Sequence, residues 1–273
     1  MKIIDGKAIA ARIREQIKLE VAKLQHPPNL TVIIVGENPA SQTYVANKEK
    51  ACTEVGITST VRRYKEDICE AELIQIIREL NDDENVNGIL VQLPLPKHMN
   101  EARVLESVSV SKDVDGFHTE NAGALFLGGK GLFACTPLGC IELIKSTGES
   151  LVGKHAVVVG RSNTVGKPLA MMLLKENCTV TVAHSKTQDL ASITRQADIL
   201  CVAIGRKHFI TGDMVKPGAI VIDVGINRVD GKLYGDVDFD AAFKVASYIT
   251  PVPGGVGPMT VAMLLQNVLE TSK

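Results

Sequence analysis

Apolar positions along this chain fall into two alternating rhythms. Ile9, Ile13, Ile17, Val21 and Leu24 recur at helical spacing, which predicts an amphipathic helix over 7–24 ended by His26-Pro27-Pro28. Leu30–Val35 is instead an unbroken, β-branched apolar run, the pattern of a strand buried on both faces. Gly36-Glu37-Asn38-Pro39 turns the chain, and helical spacing returns over 40–55 until Gly56. A short strand at 58–64, an amphipathic helix at about 69–80 and a strand at Gly88–Leu93 follow, the last stopped by Pro94 and Pro96. Such alternation predicts a parallel α/β sheet with right-handed crossovers.

A loop-rich stretch over 109–134 carries glycines at 123, 128, 129 and 131, and a helix is predicted at about 137–147. The alternation then restarts. Strand Ala156–Gly160, helix 166–176, strand Thr179–Ala183, helix 187–195, and strands Asp198–Ile204 and Ala219–Val224 are predicted in turn. A final helix at about 258–271 has Met259, Ala262, Met263, Leu265, Val268 and Leu269 on its apolar side. The predicted fold class is α/β: two α/β domains, the C-terminal one a Rossmann-type doubly wound parallel sheet, with an active-site cleft between them. The boundary is read near 135–145, giving a catalytic domain over 1–138 and a nucleotide-binding domain over 139–257, with the helix 258–273 a candidate to pack back on the first. The strand-turn-helix units at 31–55 and 155–176 resemble each other.

Composition narrows the function class. Thirty Lys and Arg against 31 Asp and Glu give a formal charge of −1, so no global basic field draws nucleic acid or an anionic membrane. The first residues turn charged before an apolar stretch forms, unlike a secretory signal, and no run reaches the length of a membrane span. Six cysteines are scattered with no CxxC pair, which fits free thiols in a reducing cytoplasm. Six dispersed histidines without HxxxH spacing give no support to a metal site.

Val157-Val158-Val159-Gly160-Arg161-Ser162-Asn163-Thr164-Val165-Gly166 reads as strand, glycine turn and helix start, an arrangement that aims backbone N–H groups and a helix dipole at a pyrophosphate. The middle glycine of GxGxxG is missing, so glycine count alone would equally suit a tight structural turn. The next strand ends in His184-Ser185-Lys186-Thr187, with no acid to hold a ribose 2′-hydroxyl. Arg161, Ser162 and Ser185, with Lys186 nearby, would welcome a 2′-phosphate, which favours NADP over NAD. The alternative for Arg161 and Lys186 is a pair of solvated surface charges.

Tyr44 and Lys48 lie four apart on one predicted helix face, able to share a reacting centre, although YxxxK alone is common. Gln92 is a polar side chain at the carboxyl end of an apolar strand, where open α/β sheets bind ligands; a structural hydrogen bond is the alternative. Asp113 and Asp115 flank Val114 in a glycine-bounded loop. One suits a turn or cap, and the other would be free to bind an N–H pair such as a pterin presents.

Together, Tyr44-Val45-Ala46-Asn47-Lys48-Glu49-Lys50, Val91-Gln92-Leu93-Pro94-Leu95-Pro96, Lys112-Asp113-Val114-Asp115-Gly116-Phe117, Val159-Gly160-Arg161-Ser162 and the segment Thr250–Thr260 make the chain resemble the bifunctional methylenetetrahydrofolate dehydrogenase/methenyltetrahydrofolate cyclohydrolases over nearly its full length. The resemblance implies Lys48 as principal catalytic residue, Tyr44 lining the folate site, Gln92 supporting the lysine and Asp115 holding the pterin. It implies Gly160, Arg161, Ser162 and Ser185 as NADP-binding groups with Ile226 near the nicotinamide, and Pro253, Gly254 and Gly255 beside the folate. It further implies tetrahydrofolate one-carbon derivatives as substrates, a homodimer, and a place in cytoplasmic one-carbon metabolism that feeds purine, methionine and histidine biosynthesis. A shikimate- or amino-acid-type dehydrogenase would need the glycine turn and a substrate lysine but would leave KDVDG and VQLPLP unexplained. A non-catalytic NADP-binding module would leave Lys48 and Asp115 unexplained.

Overall fold

The computed structural model describes residues Lys2–Lys273; Met1, where the first expected domain begins, and the side chain of Ala40 lie outside that description. In chain order the elements are β1 (Lys2–Ile3), α1 (Gly6–Val21), β2 (Asn29–Val35), α2 (Pro39–Val55), β3 (Thr58–Tyr64), α3 (Glu70–Asp82), β4 (Gly88–Val91), α4 (Glu101–Glu106), α5 (Thr119–Phe126) and α6 (Cys135–Lys145). They continue as β5 (His155–Val159), α7 (Gly166–Lys175), β6 (Thr179–Ala183), α8 (Leu190–Thr194), β7 (Ile199–Val202), β8 (Ile220–Asp223), β9 (Asn227–Val229), β10 (Lys232–Tyr234), α9 (Phe239–Phe243), β11 (Tyr248–Ile249) and α10 (Val256–Glu270). Two compact units result. One joins the chain up to Ala11 with Thr136–Thr260; the other joins Arg12–Cys135 with Val261–Lys273.

The second of these units holds a three-stranded parallel sheet in the order β3-β2-β4. The central strand is the apolar run of the sequence, and Leu30, Val32, Ile33, Ile34 and Val35 are all buried. Helix α3 covers one face. Its buried Leu73, Ile77 and Leu80 recur at helical spacing, Cys69 caps its first turn by accepting from the Glu72 N–H, and Glu70 and Glu72 suit the positive end of its dipole. Gly88 opens β4, and a Cβ there would lie 2.6 Å from Val114 Cγ1, so its absence lets the 112–116 loop lie on the strand.

The other unit is built on a six-stranded, all-parallel sheet in the order β1-β11-β8-β7-β5-β6. Strands β7 and β8 are buried throughout and β5 from Ala156 onward, as continuous apolar runs require. From β5 the chain steps to β6 on one side, then crosses to β7 on the other, so the order reverses beside β5. That reversal is a topological switch point, where doubly wound sheets open a ligand crevice at the carboxyl ends of the strands.

The structure departs from the sequence pattern in a few places. The loop-rich 109–134 stretch contains α5, and α4 precedes it. Strands β1 and β11, the β9–β10 hairpin and α9 are too short to carry a readable period. Strand β1 pairs with β11 and so belongs to the six-stranded sheet, although the sequence reading has residues 1–138 together. In α10, Met259, Ala262, Met263, Leu265, Val268 and Leu269 are all buried, as their spacing predicts.

Candidate active site

Helix α2 carries Tyr44 and Lys48 one turn apart. Tyr44 is 42% exposed, whereas Lys48 is buried to 9%. A lysine that enclosed needs a partner. It has one in Gln92, just past β4, whose Oε1 accepts from Lys48 Nζ at 3.1 Å. The orientation of that amide is set from its other end, because Gln92 Nε2 donates to the Leu93 carbonyl at 2.7 Å. The backbone N–H of Gln92 meanwhile continues the sheet, donating to the Ile33 carbonyl at 2.8 Å. Strand register therefore fixes the glutamine, and the glutamine fixes the amine.

The two aspartates of the 112–116 loop have separate tasks. Asp113 is buried and its carboxylate is consumed by the loop, accepting from the N–H groups of Gly116 and His118 and from Asn121 Nδ2. Asp115 makes no hydrogen bond or ion pair among the described residues. Burial pushes its carboxyl above the usual range, the Lys48 ammonium pulls it back, and Asp113 pushes it further up. Tyr44, Lys48, Gln92 and Asp115 thus all belong to one unit, with Lys48 and Asp115 close enough to feel each other's charge.

Sequence reasoning missed the residue that holds this loop from behind. Asn267, on α10, donates to the carbonyls of Val114 at 2.8 Å and Phe133 at 3.0 Å. Val114 is the residue just before Asp115. A buried Asn in an otherwise apolar helix was the available signal, but its partners lie more than a hundred residues away.

The six-stranded sheet carries the nucleotide candidates. Gly160 has φ +131° and sits where a Cβ would collide with the Ala203 carbonyl, so only glycine fits. Its N–H donates to the Ala183 carbonyl at 2.9 Å, which puts the Gly160-Arg161 turn beside the His184-Ser185 turn at the carboxyl edge of adjacent strands. Arg161 and Ser185 are exposed there. The Ser162 hydroxyl oxygen is engaged, accepting from the N–H groups of Val165 and Gly166 at the start of α7, while its own proton stays available to an anion. The first acid after β6, Asp189, caps α8 by accepting from the Ser192 N–H. A strand-glycine-helix turn flanked by Arg161 and Ser185, without a free carboxylate, fits a dinucleotide bearing a 2′-phosphate. Ile226 follows β8 and is 45% exposed.

Pro253, Gly254 and Gly255 form a tight turn before α10. The Gly254 carbonyl accepts from the Lys7 N–H at 3.1 Å, and a Cβ on Gly6 would collide with Gly255, so the turn is fixed against the start of α1. Sequence reasoning also missed a pair of buried carboxylates at the end of β8. Asp223 accepts from the N–H groups of Gly225, Asp236 and Val237. Burial pushes it up to about 7, against the pull of those amides and with the Asp236 charge adding to the rise. Among the described residues no group of three or more His, Cys, Asp or Glu could hold a metal ion, and no helix is long and apolar enough to cross a membrane.

Comparison with known proteins matches two family models: the tetrahydrofolate dehydrogenase/cyclohydrolase catalytic domain at residues 4–115 and its NAD(P)-binding domain at residues 134–273. The bifunctional protein FolD of Moorella thermoacetica is 55% identical over 276 residues, covering all of this chain and 99% of the relative. The crystal structure of the bifunctional FolD methylenetetrahydrofolate dehydrogenase/cyclohydrolase from Campylobacter jejuni is 53% identical, with a TM-score of 0.98 over 100% of this chain and 98% of that one. The Trypanosoma brucei methylenetetrahydrofolate dehydrogenase-cyclohydrolase, solved with NADP cofactor and inhibitor, is 39% identical, with a TM-score of 0.95 over 99% of this chain and 97% of that one.

Proposed function

Because the chain belongs to the tetrahydrofolate dehydrogenase/cyclohydrolase family, we propose that it oxidises 5,10-methylenetetrahydrofolate to the 5,10-methenyl cation with NADP and hydrolyses that cation to 10-formyltetrahydrofolate. The observation that carries the reading is the buried Lys48 amine, oriented by Gln92 and within electrostatic reach of Asp115, a carboxylate with no hydrogen bond among the described residues. Neither a shikimate- nor an amino-acid-type dehydrogenase accounts for that set together with the family match.

NADP, when bound, accepts the hydride that leaves the methylene carbon. The folate ring nitrogens supply the electron push, so the protein needs no strong base for this step and acts by orienting its substrate. Asp115 suits the N–H pair of the pterin, where its carboxylate would gain the hydrogen bonds it otherwise lacks. Tyr44 offers a ring to stack on and a hydroxyl at its tip. In the second step water adds to the cationic carbon, the bond from that carbon to N5 breaks, and one proton is released overall. In its neutral form Lys48 would take one proton from the attacking water and return one to N5. Gln92 keeps the amine aimed while protons move. Gly160, Arg161, Ser162 and Ser185 would hold the dinucleotide, Ile226 would border the nicotinamide, and the Pro253-Gly254-Gly255 turn would border the folate.

The same family reading extends to a cytoplasmic homodimer in one-carbon metabolism that serves purine, methionine and histidine biosynthesis, acting on small molecules rather than nucleic acid or membranes. The domains read from the sequence, 1–138 for folate and 139–257 for NADP, remain the functional division proposed, with β1 contributed to the NADP sheet. The test is an absorbance assay with methylenetetrahydrofolate, run with NADP and with NAD and followed by acid trapping of the methenyl product. NADP-dependent formation of that product is expected. No turnover with either nucleotide would refute the function.

A further inference from the structure

Asp236 follows β10 and is fully buried. Its carboxylate accepts four hydrogen bonds from two other segments. Oδ2 takes the N–H groups of Ile204 at 2.7 Å and Gly205 at 2.9 Å, and Oδ1 takes the Arg206 N–H at 2.7 Å and Asn227 Nδ2 at 2.9 Å. Three successive backbone N–H groups converging on one point form a nest that would hold an anion. Here the protein's own carboxylate fills it. The fit leaves no slack, because a Cβ on Gly225 would collide with the Asp236 carboxylate and one on Gly235 would collide with that of Asp223.

The two segments so held have a particular place in the fold. Residues 204–206 leave the carboxyl end of β7, next to β5 across the switch point, and Ala203 is the residue that forbids a side chain at Gly160. Asn227 directly follows Ile226 at the carboxyl end of β8. Both are rims of the crevice where a doubly wound sheet binds its dinucleotide. Asp236 itself is enclosed and has no surface open to solvent.

We propose that Asp236 is a positioning residue for the NADP site, clamping the 204–206 loop and, through Asn227, the Ile226 turn into the shape that receives the nicotinamide half. The proposal rests on the dehydrogenase reading above. Asn in place of Asp keeps the volume but turns one accepting oxygen into an NH2 that faces backbone N–H groups. The experiment compares wild type with Asp236→Asn by titration calorimetry with NADP, by amide hydrogen exchange at residues 204–206, and by hydrolysis of added methenyltetrahydrofolate, which consumes no nucleotide. A rise of tenfold or more in the NADP Kd, faster exchange at 204–206 and hydrolysis within twofold of wild type are expected. An NADP Kd within twofold of wild type overturns the proposal, as does a parallel fall of NADP binding and hydrolysis, which would mark a purely structural residue. Should Asp236→Asn not fold, Asn227→Ala decides, since it removes one of the four bonds and leaves the carboxylate: a threefold or larger rise in Kd supports the clamp, and an unchanged Kd overturns it. Wild-type protein that fails to bind NADP would refute the dehydrogenase reading itself, an outcome separate from a variant that binds as well as wild type.

Discussion

The sequence Asp-Val-Asp occurs twice, at 113–115 and at 236–238, and the structure uses the two copies differently. In the later copy both carboxylates are spent on the protein: Asp236 gathers the 204–206 backbone, and Asp238 caps α9 by accepting from the Ala241 N–H. In the earlier copy only Asp113 is spent, on Gly116, His118 and Asn121. Asp115 is left without a hydrogen bond among the described residues and within reach of the Lys48 charge, with its carboxyl pushed up by burial. Identical residue types at identical spacing thus separate by whether backbone donors reach them. A carboxylate whose bonds are already made is scaffold, and one held desolvated without partners is poised for a ligand.

The largest effect should fall on the amine whose charge the open carboxylate feels. Lys48→Arg keeps the charge but loses practical titration, so hydrolysis of methenyltetrahydrofolate should drop by about a hundredfold or more while NADP affinity stays unchanged. Near-wild-type hydrolysis would remove Lys48 from the proton path. On the scaffold side, Asp113→Ala strands the His118 N–H and leaves Gly116 and Asn121 only their bonds to the Asp113 and Val110 carbonyls, and should cost about 2 kcal/mol in denaturant unfolding. A variant as stable as wild type would break the contrast between the two carboxylates of that loop. At the nucleotide edge, Arg161→Ala should lower kcat/KM with NADP about tenfold relative to NAD, and an unchanged ratio would assign the 2′-phosphate elsewhere. The last effect is on the pH dependence of stability and concerns Asp223. Its folded value near 7 lies above its ordinary 3.8, so the native state binds more protons than the unfolded chain between those values. Its contribution should therefore weaken stability as pH rises through that window and be absent below it. Asp223→Asn should flatten that part of the stability–pH curve, and an unchanged slope would show that another group produces it.

Much of this was legible in the sequence wherever a period was long enough to read. The apolar run Leu30–Val35, the spacing of Leu73, Ile77 and Leu80, and the α10 stripe all placed their elements. Gln92 stood out as a polar residue closing an apolar strand, and in the structure it accepts a hydrogen bond from Lys48. The split between Asp113 and Asp115 was open in the sequence as one cap and one free acid, but which was which depended on where Gly116, His118 and Asn121 point their donors. Helix α5 was hidden by the glycines around it, and β1 by having only two residues. The partners of Asn267 and Asp236 could not be read, because each acts on backbone brought to it by the fold rather than by neighbours in the chain.

The contrast between the spent and the open carboxylate is tested most directly by Asp115→Asn, with folate-substrate affinity and thermal unfolding measured on the same preparation. Replacing a desolvated carboxylate by a neutral amide should leave Tm unchanged or higher while folate affinity falls about tenfold and NADP affinity holds. Unchanged folate affinity, or a loss of Tm matching that of Asp113→Ala, would contradict the account.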